Sequence, residues 1–136
     1  MFKEIDHIAI LVKNTERALE LYQGRMKLPL IASERLEEQG IRLTHLDMGN
    51  VQLQLVEPLS SDHPLCQRLK THGEGLHHLC WKVDDLRVAM ASLEDYGLRS
   101  KPNEPHPGVQ GREAAFIEPV DTQGILFEMT SSSMKD

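Results

Sequence analysis

Short segments in which apolar and polar residues alternate recur along this chain, and turn residues separate them. This alternation is typical of strands that bury one face. In the first half of the chain it predicts four strands, at residues 3–12, 30–36, 41–48 and 51–57. Asn14 is a favourable helix N-cap, and a helical stripe of apolar residues follows it to about residue 25. The first half is therefore predicted to fold in the order βαβββ.

The second half predicts the same order of elements. It starts with a strand at about Leu76, and the pair Asp84-Asp85 then caps a helix of about residues 86–96, which Gly97 ends. Three further strands are expected, at residues 98–101, 112–118 and 123–129, with a Pro- and Gly-rich loop at 101–111. Two segments lie outside the modules: a linker at 58–75 with a short helix near 64–70, and a tail at 131–136 that is expected to be disordered.

The two halves also repeat in sequence. Residues 5–18, IDHIAILVKNTERA, align with residues 76–89, LHHLCWKVDDLRVA, so that His7 falls on His78. Each half ends in a strand-like run, VQLQLV and GILFEM, in which Gln54 falls on Glu128. Because internal repeats decide the architecture, we expect one α+β domain over residues 1–136, built from two paired βαβββ modules at 3–57 and 76–130.

The repeated positions carry four candidate metal ligands. On each strand the candidate lies opposite the apolar face that the helices need for packing, so all four are expected to face the concave side of a curved sheet. They are His7, Gln54, His78 and Glu128. Two imidazoles, a carboxylate and an amide oxygen suit a first-row divalent ion such as Co, Ni, Mn, Fe or Zn, with positions left open for substrate. His77 competes with His78, but the alignment places it on Asp6, outside the proposed site.

Composition excludes several classes of partner. The net charge is −6 and no long run of Lys or Arg occurs, so neither a nucleic acid nor an acidic membrane is expected to bind. The two cysteines, Cys66 and Cys80, make no disulfide framework. The N-terminus shows no signal segment, and no apolar run approaches the ~18 residues of a membrane helix. We therefore expect a cytoplasmic protein.

With these motifs the chain resembles the vicinal oxygen chelate superfamily, which includes glyoxalases, bleomycin-resistance proteins and dioxygenases. Within it, the chain is similar to the methylmalonyl-CoA epimerases. The matching stretches cover about residues 4–130 and are IDHIAILV, EEQGIR, VQLQLVEPLSSDHP, GEGLHHLCWKVDDL, PGVQGR, FIEP and GILFEM. The resemblance implies a glyoxalase-like fold, in which a partly closed eight-stranded sheet surrounds a metal-binding cavity. It also implies the same four ligands, one divalent metal (Co, Ni, Mn or Zn) and a site within one chain. The exposed sheet edges of each module predict a homodimer.

Two departures from the epimerase pattern bear on substrate binding and catalysis. Where such epimerases commonly read His-Pro-Lys, this chain reads Glu118-Pro119-Val120 and lacks a natural contact for Coenzyme A phosphates. Arg112 and Lys101 are the candidate replacements. Some members carry a carboxylate where this chain has Leu43, so one expected base is missing.

Epimerisation next to a thioester requires one group to remove the α-proton and another to return it on the opposite face. Glu128 is the candidate for one of these roles. His45 is the candidate for the other, because it shares a strand face with Leu43 and titrates near neutrality.

The sequence is also compatible with other activities of the same superfamily. A glyoxalase-type lyase or isomerase would use the same metal and proton transfer on a thiol hemithioacetal. A non-catalytic binding protein would lack the ligand set. A ring-cleaving dioxygenase would need iron held by two histidines and a glutamate, and the presence of Gln54 among the candidate ligands argues mildly against it. Binding of a divalent metal separates the enzymes from the binding protein.

Overall fold

The computed structural model describes residues 1–131, in which eight strands and three α-helices lie. The strands are β1 (Glu4–Leu11), β2 (Leu30–Leu36), β3 (Ile41–Asp47), β4 (Gln52–Pro58), β5 (Gly75–Val83), β6 (His106–Pro107), β7 (Glu113–Ile117) and β8 (Phe127–Ser131). The helices are α1 (Thr15–Leu19), α2 (Pro64–His72) and α3 (Leu86–Ser92). No helix in this range is long and apolar enough to cross a membrane.

The chain forms two compact units. The first unit contains Met1–His7 and the chain from His78 onward, and the second unit contains Ile8–His77. The division falls within β1, so His7 belongs to the first unit and Ile8 to the second.

In the second unit, β3 lies between β2 and β4 and is antiparallel to both. Its core consists of Val12, Leu46, Leu53 and Leu55, against which apolar side chains of the first helical segment pack. That segment begins as predicted, because the Asn14 side chain accepts a hydrogen bond from the Arg17 amide. It continues beyond α1 as a π-helix, Glu20–Arg25. The short helix predicted in the linker is α2.

In the first unit, β8 lies between β5, to which it is parallel, and β7, to which it is antiparallel. The core of this unit is formed by residues from α3, the turn after it and strands β5, β7 and β8: Val83, Leu86, Ala89, Leu93, Ala115, Ile117 and Met129. Asp85 caps α3 as predicted, and a 3-10 turn, Leu93–Tyr96, follows it. Gly97 then ends the helical segment in the left-handed conformation, at φ 73°.

Two predictions for the second half are corrected. The strand expected at 98–101 is reduced to one bridge between Ser100 and Ile117, and the two-residue β6 lies instead inside the segment expected to be a loop. Proline explains why pairing here stays short, since it donates no backbone hydrogen bond and three prolines lie between residues 101 and 108. The predicted disordered tail lies outside the described residues except for Ser131, which ends β8.

Candidate metal centre

Three of the four predicted ligands meet in the first unit. The Nε2 atoms of His7 and His78 lie 3.2 Å and 3.1 Å from Oε1 of Glu128. All three side chains are buried, and their ligand atoms lie within 4.8 Å of one another. The strands explain this arrangement: Glu128 on β8 is paired with Cys80 on β5, and His78 lies two residues earlier on the same face of β5.

The donor atoms fit a divalent transition metal. Two imidazole nitrogens and one carboxylate oxygen form the three-ligand set that is typical of catalytic metal sites, in which further positions remain for water or substrate. Burial of these groups among protein atoms would hold the ligand geometry and limit access of bulk water. The first unit therefore contains a set of side chains that can bind a metal ion.

Asp6 holds the orientation of the His7 ring, and Arg112 in turn holds Asp6. His7 Nδ1 donates to Asp6 Oδ2 at 2.7 Å, so that Nε2 is the nitrogen that faces Glu128. Arg112 Nη2 donates to the other Asp6 oxygen at 2.7 Å and also to the Ser131 carbonyl at 2.8 Å. Such an outer partner fixes the ring orientation of a metal-binding histidine and raises its basicity.

These contacts determine the charges of the Asp6 and His7 side chains. Burial works to raise the pKa of Asp6, but hydrogen bonds from His7 and Arg112 outweigh it and lower that pKa to about 2. Burial works to lower the pKa of His7, but hydrogen bonds to Asp6 and Glu128 outweigh it and raise that pKa to about 9. Without a metal, His7 is therefore an imidazolium between two carboxylates at neutral pH.

Glu128 contacts a third imidazole that the sequence did not reveal. His106 Nε2 lies 2.6 Å from Oε2 of Glu128, and its ring stacks on Phe116. Burial works to raise the pKa of Glu128, but the charge of His78 and hydrogen bonds from His106, His7 and His78 hold it well below its ordinary value. His106 lies in the Pro- and Gly-rich segment, outside the repeat, so no periodicity singled it out.

Cys80 also lies close to Asp6 and His7, with ligand atoms within 4.8 Å of theirs. Burial raises the pKa of the Cys80 thiol well above its ordinary value, and the Glu128 and Asp6 charges raise it further. Because the thiolate is the form that binds metal, Cys80 is a neutral, buried side chain beside the metal ligands.

The remaining two candidates of the centre, Gln54 and His45, lie in the second unit and face each other on β4 and β3. His45 Nδ1 donates to Gln52 Oε1 at 2.6 Å, so its Nε2 accepts from the Gln54 amide nitrogen at 2.9 Å. This bond turns the amide nitrogen of Gln54 toward His45 and the amide oxygen away from it. The roles of Gln54 as a ligand and of His45 in proton transfer stay predictions.

The two candidate phosphate contacts differ in their surroundings. Lys101 is largely exposed, and its Nζ lies 3.5 Å from a Glu118 carboxylate oxygen. The Arg112 guanidinium is nearly buried on Asp6 and Ser131. Contact of either residue with phosphate stays a prediction.

The family model that matches residues 6–116 describes the Glyoxalase/Bleomycin resistance protein/Dioxygenase superfamily. The chain belongs to this superfamily. An uncharacterised relative from Bacillus subtilis is 33% identical over 92% of this chain and 89% of its own. The mitochondrial methylmalonyl-CoA epimerase of Bos taurus is 30% identical over 92% of this chain and 72% of its own.

Solved structures with similar folds agree with this assignment. A variant of the Streptomyces coelicolor methylmalonyl-CoA epimerase, in complex with 2-nitronate-propionyl-CoA, has a TM-score of 0.87 and 32% identity, covering 98% of this chain and 96% of its own. A hypothetical protein from Bacillus halodurans has a TM-score of 0.89 and 31% identity, covering 98% and 96% of the two chains. The predicted glyoxalase-like α+β fold is confirmed.

We expect Asp6→Asn to weaken metal binding by about 10–100-fold, because the neutral amide no longer orients His7 with a full negative charge. Calorimetric titration of the stripped protein with Co²⁺ measures the effect. Asp95→Asn, on an exposed side chain, serves as the matched control and should bind cobalt normally. Equal affinities for the two variants would show that Asp6 does not support the centre.

We also expect the metal-stripped protein to lose stability as the pH rises from about 6.5 to about 9. In this range the native state keeps a proton on His7 that the unfolded state has released, so the free energy of unfolding falls by about 1–3 kcal/mol. Urea unfolding at several pH values measures the slope. The slope should be lost in His7→Gln; a slope that persists unchanged in this variant would assign it to another group.

Proposed function

We propose that this chain is a divalent-metal-dependent epimerase of methylmalonyl-CoA, or of a close 2-substituted acyl-CoA. The observation that carries the proposal is the buried cluster of His7, His78 and Glu128, whose ligand atoms lie within 4.8 Å of one another. It occurs in a chain whose relatives and structural neighbours include methylmalonyl-CoA epimerases at about 30% identity.

His7, His78 and Glu128 are the residues that would hold the metal, with the Gln54 amide oxygen proposed as the fourth ligand from its place in the sequence repeat. Cobalt, nickel, manganese and zinc all accept this mixture of nitrogen and oxygen donors. When bound, such an ion supplies Lewis-acid stabilisation of the negative charge that develops next to the thioester.

The protein groups move the proton. The α-carbon of the proposed substrate lies between a thioester and a carboxylate, so its proton is acidic enough for a side chain to remove. Glu128 is ionised at neutral pH because its pKa is held low, and it is therefore in the protonation state that a base requires. Because Oε2 accepts a hydrogen bond from His106, Oε1 is the oxygen that would have to loosen from the metal in order to take the proton. The burial of Glu128 keeps bulk water from competing for the proton.

His45 is proposed as the group that returns the proton to the opposite face. The hydrogen bond from its Nδ1 to Gln52 fixes the tautomer whose Nε2 is unprotonated and can remove the α-proton from one epimer. In the opposite direction of the reaction the same nitrogen must carry a proton, which it then returns to the α-carbon. The Gln54 amide occupies that nitrogen, so the role requires the amide to give way during turnover.

The first experiment is proton NMR in deuterated water with methylmalonyl-CoA, added to stripped protein and then to protein with cobalt restored. We expect a cobalt-dependent loss of the α-proton signal that Glu128→Gln abolishes and the exposed-site control Glu94→Gln retains. Tight cobalt binding without exchange of the α-proton would reject the epimerase proposal. It would favour the glyoxalase-type activity on thiol hemithioacetals. A stripped protein that binds no divalent ion would leave only a binding role.

The role of His45 has a test of its own. We expect His45→Gln to lower epimerisation by at least about 100-fold, the usual contribution of a general acid or base, while one epimer still exchanges its α-proton with solvent. Circular dichroism of each product epimer, followed beside deuterium uptake, measures the two processes separately. Loss of both processes together, or of neither, would remove His45 from proton transfer.

A further inference from the structure

The carboxylate of Glu128 has two oxygens in different surroundings. Oε1 faces the two histidines of the metal cluster, at 3.2 Å from His7 and 3.1 Å from His78. Oε2 accepts a shorter bond, of 2.6 Å, from His106 Nε2. A carboxylate only accepts hydrogen bonds, so His106 Nε2 carries the proton in this contact and its lone pair is not available to a metal there.

We infer that His106 is a positioning residue. Its hydrogen bond occupies Oε2 of Glu128, so that only Oε1 of Glu128 can bind a metal. The inference rests on the proposed function in that the cluster binds a divalent metal, and its consequence for substrate binding rests on the proposed acyl-CoA substrate. It assigns to His106 a role that neither the repeat nor the ligand pattern predicts.

His106 is held in place by two independent contacts. Its backbone pairs with Ala114, which joins β6 to β7. Its ring stacks on Phe116, with ring centroids 4.8 Å apart and planes 21° apart. Phe116 is paired with Glu128 on β8, so the aromatic ring and the carboxylate are neighbours on adjacent strands.

The same phenylalanine links His106 to the ligands. The edge-to-face contact between Phe116 and His78 has ring centroids 5.2 Å apart and planes 89° apart. Phe116 thus separates the imidazole that faces Oε1 from the imidazole that faces Oε2. Because both rings pack against one side chain, a rotation of His106 away from Oε2 would also disturb the surroundings of His78.

The number of oxygens that Glu128 offers decides how many positions remain at a bound metal. A carboxylate can bind a cation through one oxygen or through both, and the second mode uses a position that a substrate could occupy. The proposed substrate carries a thioester oxygen and a carboxylate oxygen, which together require two positions. By holding Oε2, His106 keeps one of these positions open.

A matched pair of variants tests the inference. His106→Phe keeps an aromatic ring against Phe116 but removes the donor, whereas His106→Gln places an amide N–H where Nε2 lies. We expect His106→Phe to bind Mn²⁺ with loss of one exchangeable water, measured by solvent proton relaxation. X-ray absorption of the Co²⁺ form should show two carboxylate oxygens in place of one, and His106→Gln should match the wild type in both measurements.

Three results would overturn the inference. The first is binding of Co²⁺ by the wild-type protein through both oxygens of Glu128, which the absorption spectrum shows without any variant. His106→Phe could keep the wild-type water count and carboxylate mode. Loss of metal binding in folded His106→Phe, with binding retained in the exposed control His72→Phe, would make His106 a ligand.

Kinetics separate this inference from the proposed function. We expect His106→Phe to raise KM for methylmalonyl-CoA by about tenfold, with a smaller change in kcat, because the loss is of a binding position rather than of a base. If His106→Phe changes the number of Glu128 oxygens on the metal but the wild-type protein has no epimerase activity, the proposed function is wrong and the inference stands. If the wild-type protein is an active epimerase but His106→Phe leaves that number unchanged, the proposed function stands and the inference is wrong.

Discussion

The buried carboxylate of Glu128 is the group on which the rest of the centre depends. A negative charge with almost no access to water is costly unless cations and hydrogen-bond donors surround it. Here three imidazoles do so: His7, His78 and His106. The pairing of β5 with β8, and of β7 with both β6 and β8, brings two of these rings, His78 and His106, close to the carboxylate.

Charge balance extends one layer further out. Asp6 compensates the imidazolium of His7, and Arg112 compensates Asp6 while its Nε and Nη2 also donate to the Ser131 carbonyl. Among residues 1–131, no buried side-chain nitrogen or oxygen lacks a hydrogen-bond partner. A fully satisfied polar network of this kind stays rigid, and rigidity is what a ligand set needs before the ion arrives.

The sequence predicted the parts of this centre that repeat and missed the parts that do not. His7 is equivalent to His78 in the repeat, and Glu128 is equivalent to Gln54. The strand periodicity predicted the common face of these side chains. His106 lies among prolines with no period to follow. Arg112 looked like a loop cation available to phosphate, because its carboxylate partner, Asp6, is 106 residues away in sequence. Long-range pairing of this kind has no local signal, whereas helix caps such as Asn14 and Asp85 do.

The first unit joins two segments that are far apart in the sequence, and this has a consequence for biogenesis. His7 and Glu128 are 121 residues apart in sequence, yet their side chains are neighbours. During synthesis His7 leaves the ribosome long before Glu128 is added to the chain, so the ligand set cannot assemble until β8 has been synthesised. Incomplete chains would therefore present isolated histidines to the cell's metal pool but no assembled centre, and any ion captured early would have to be held by other groups.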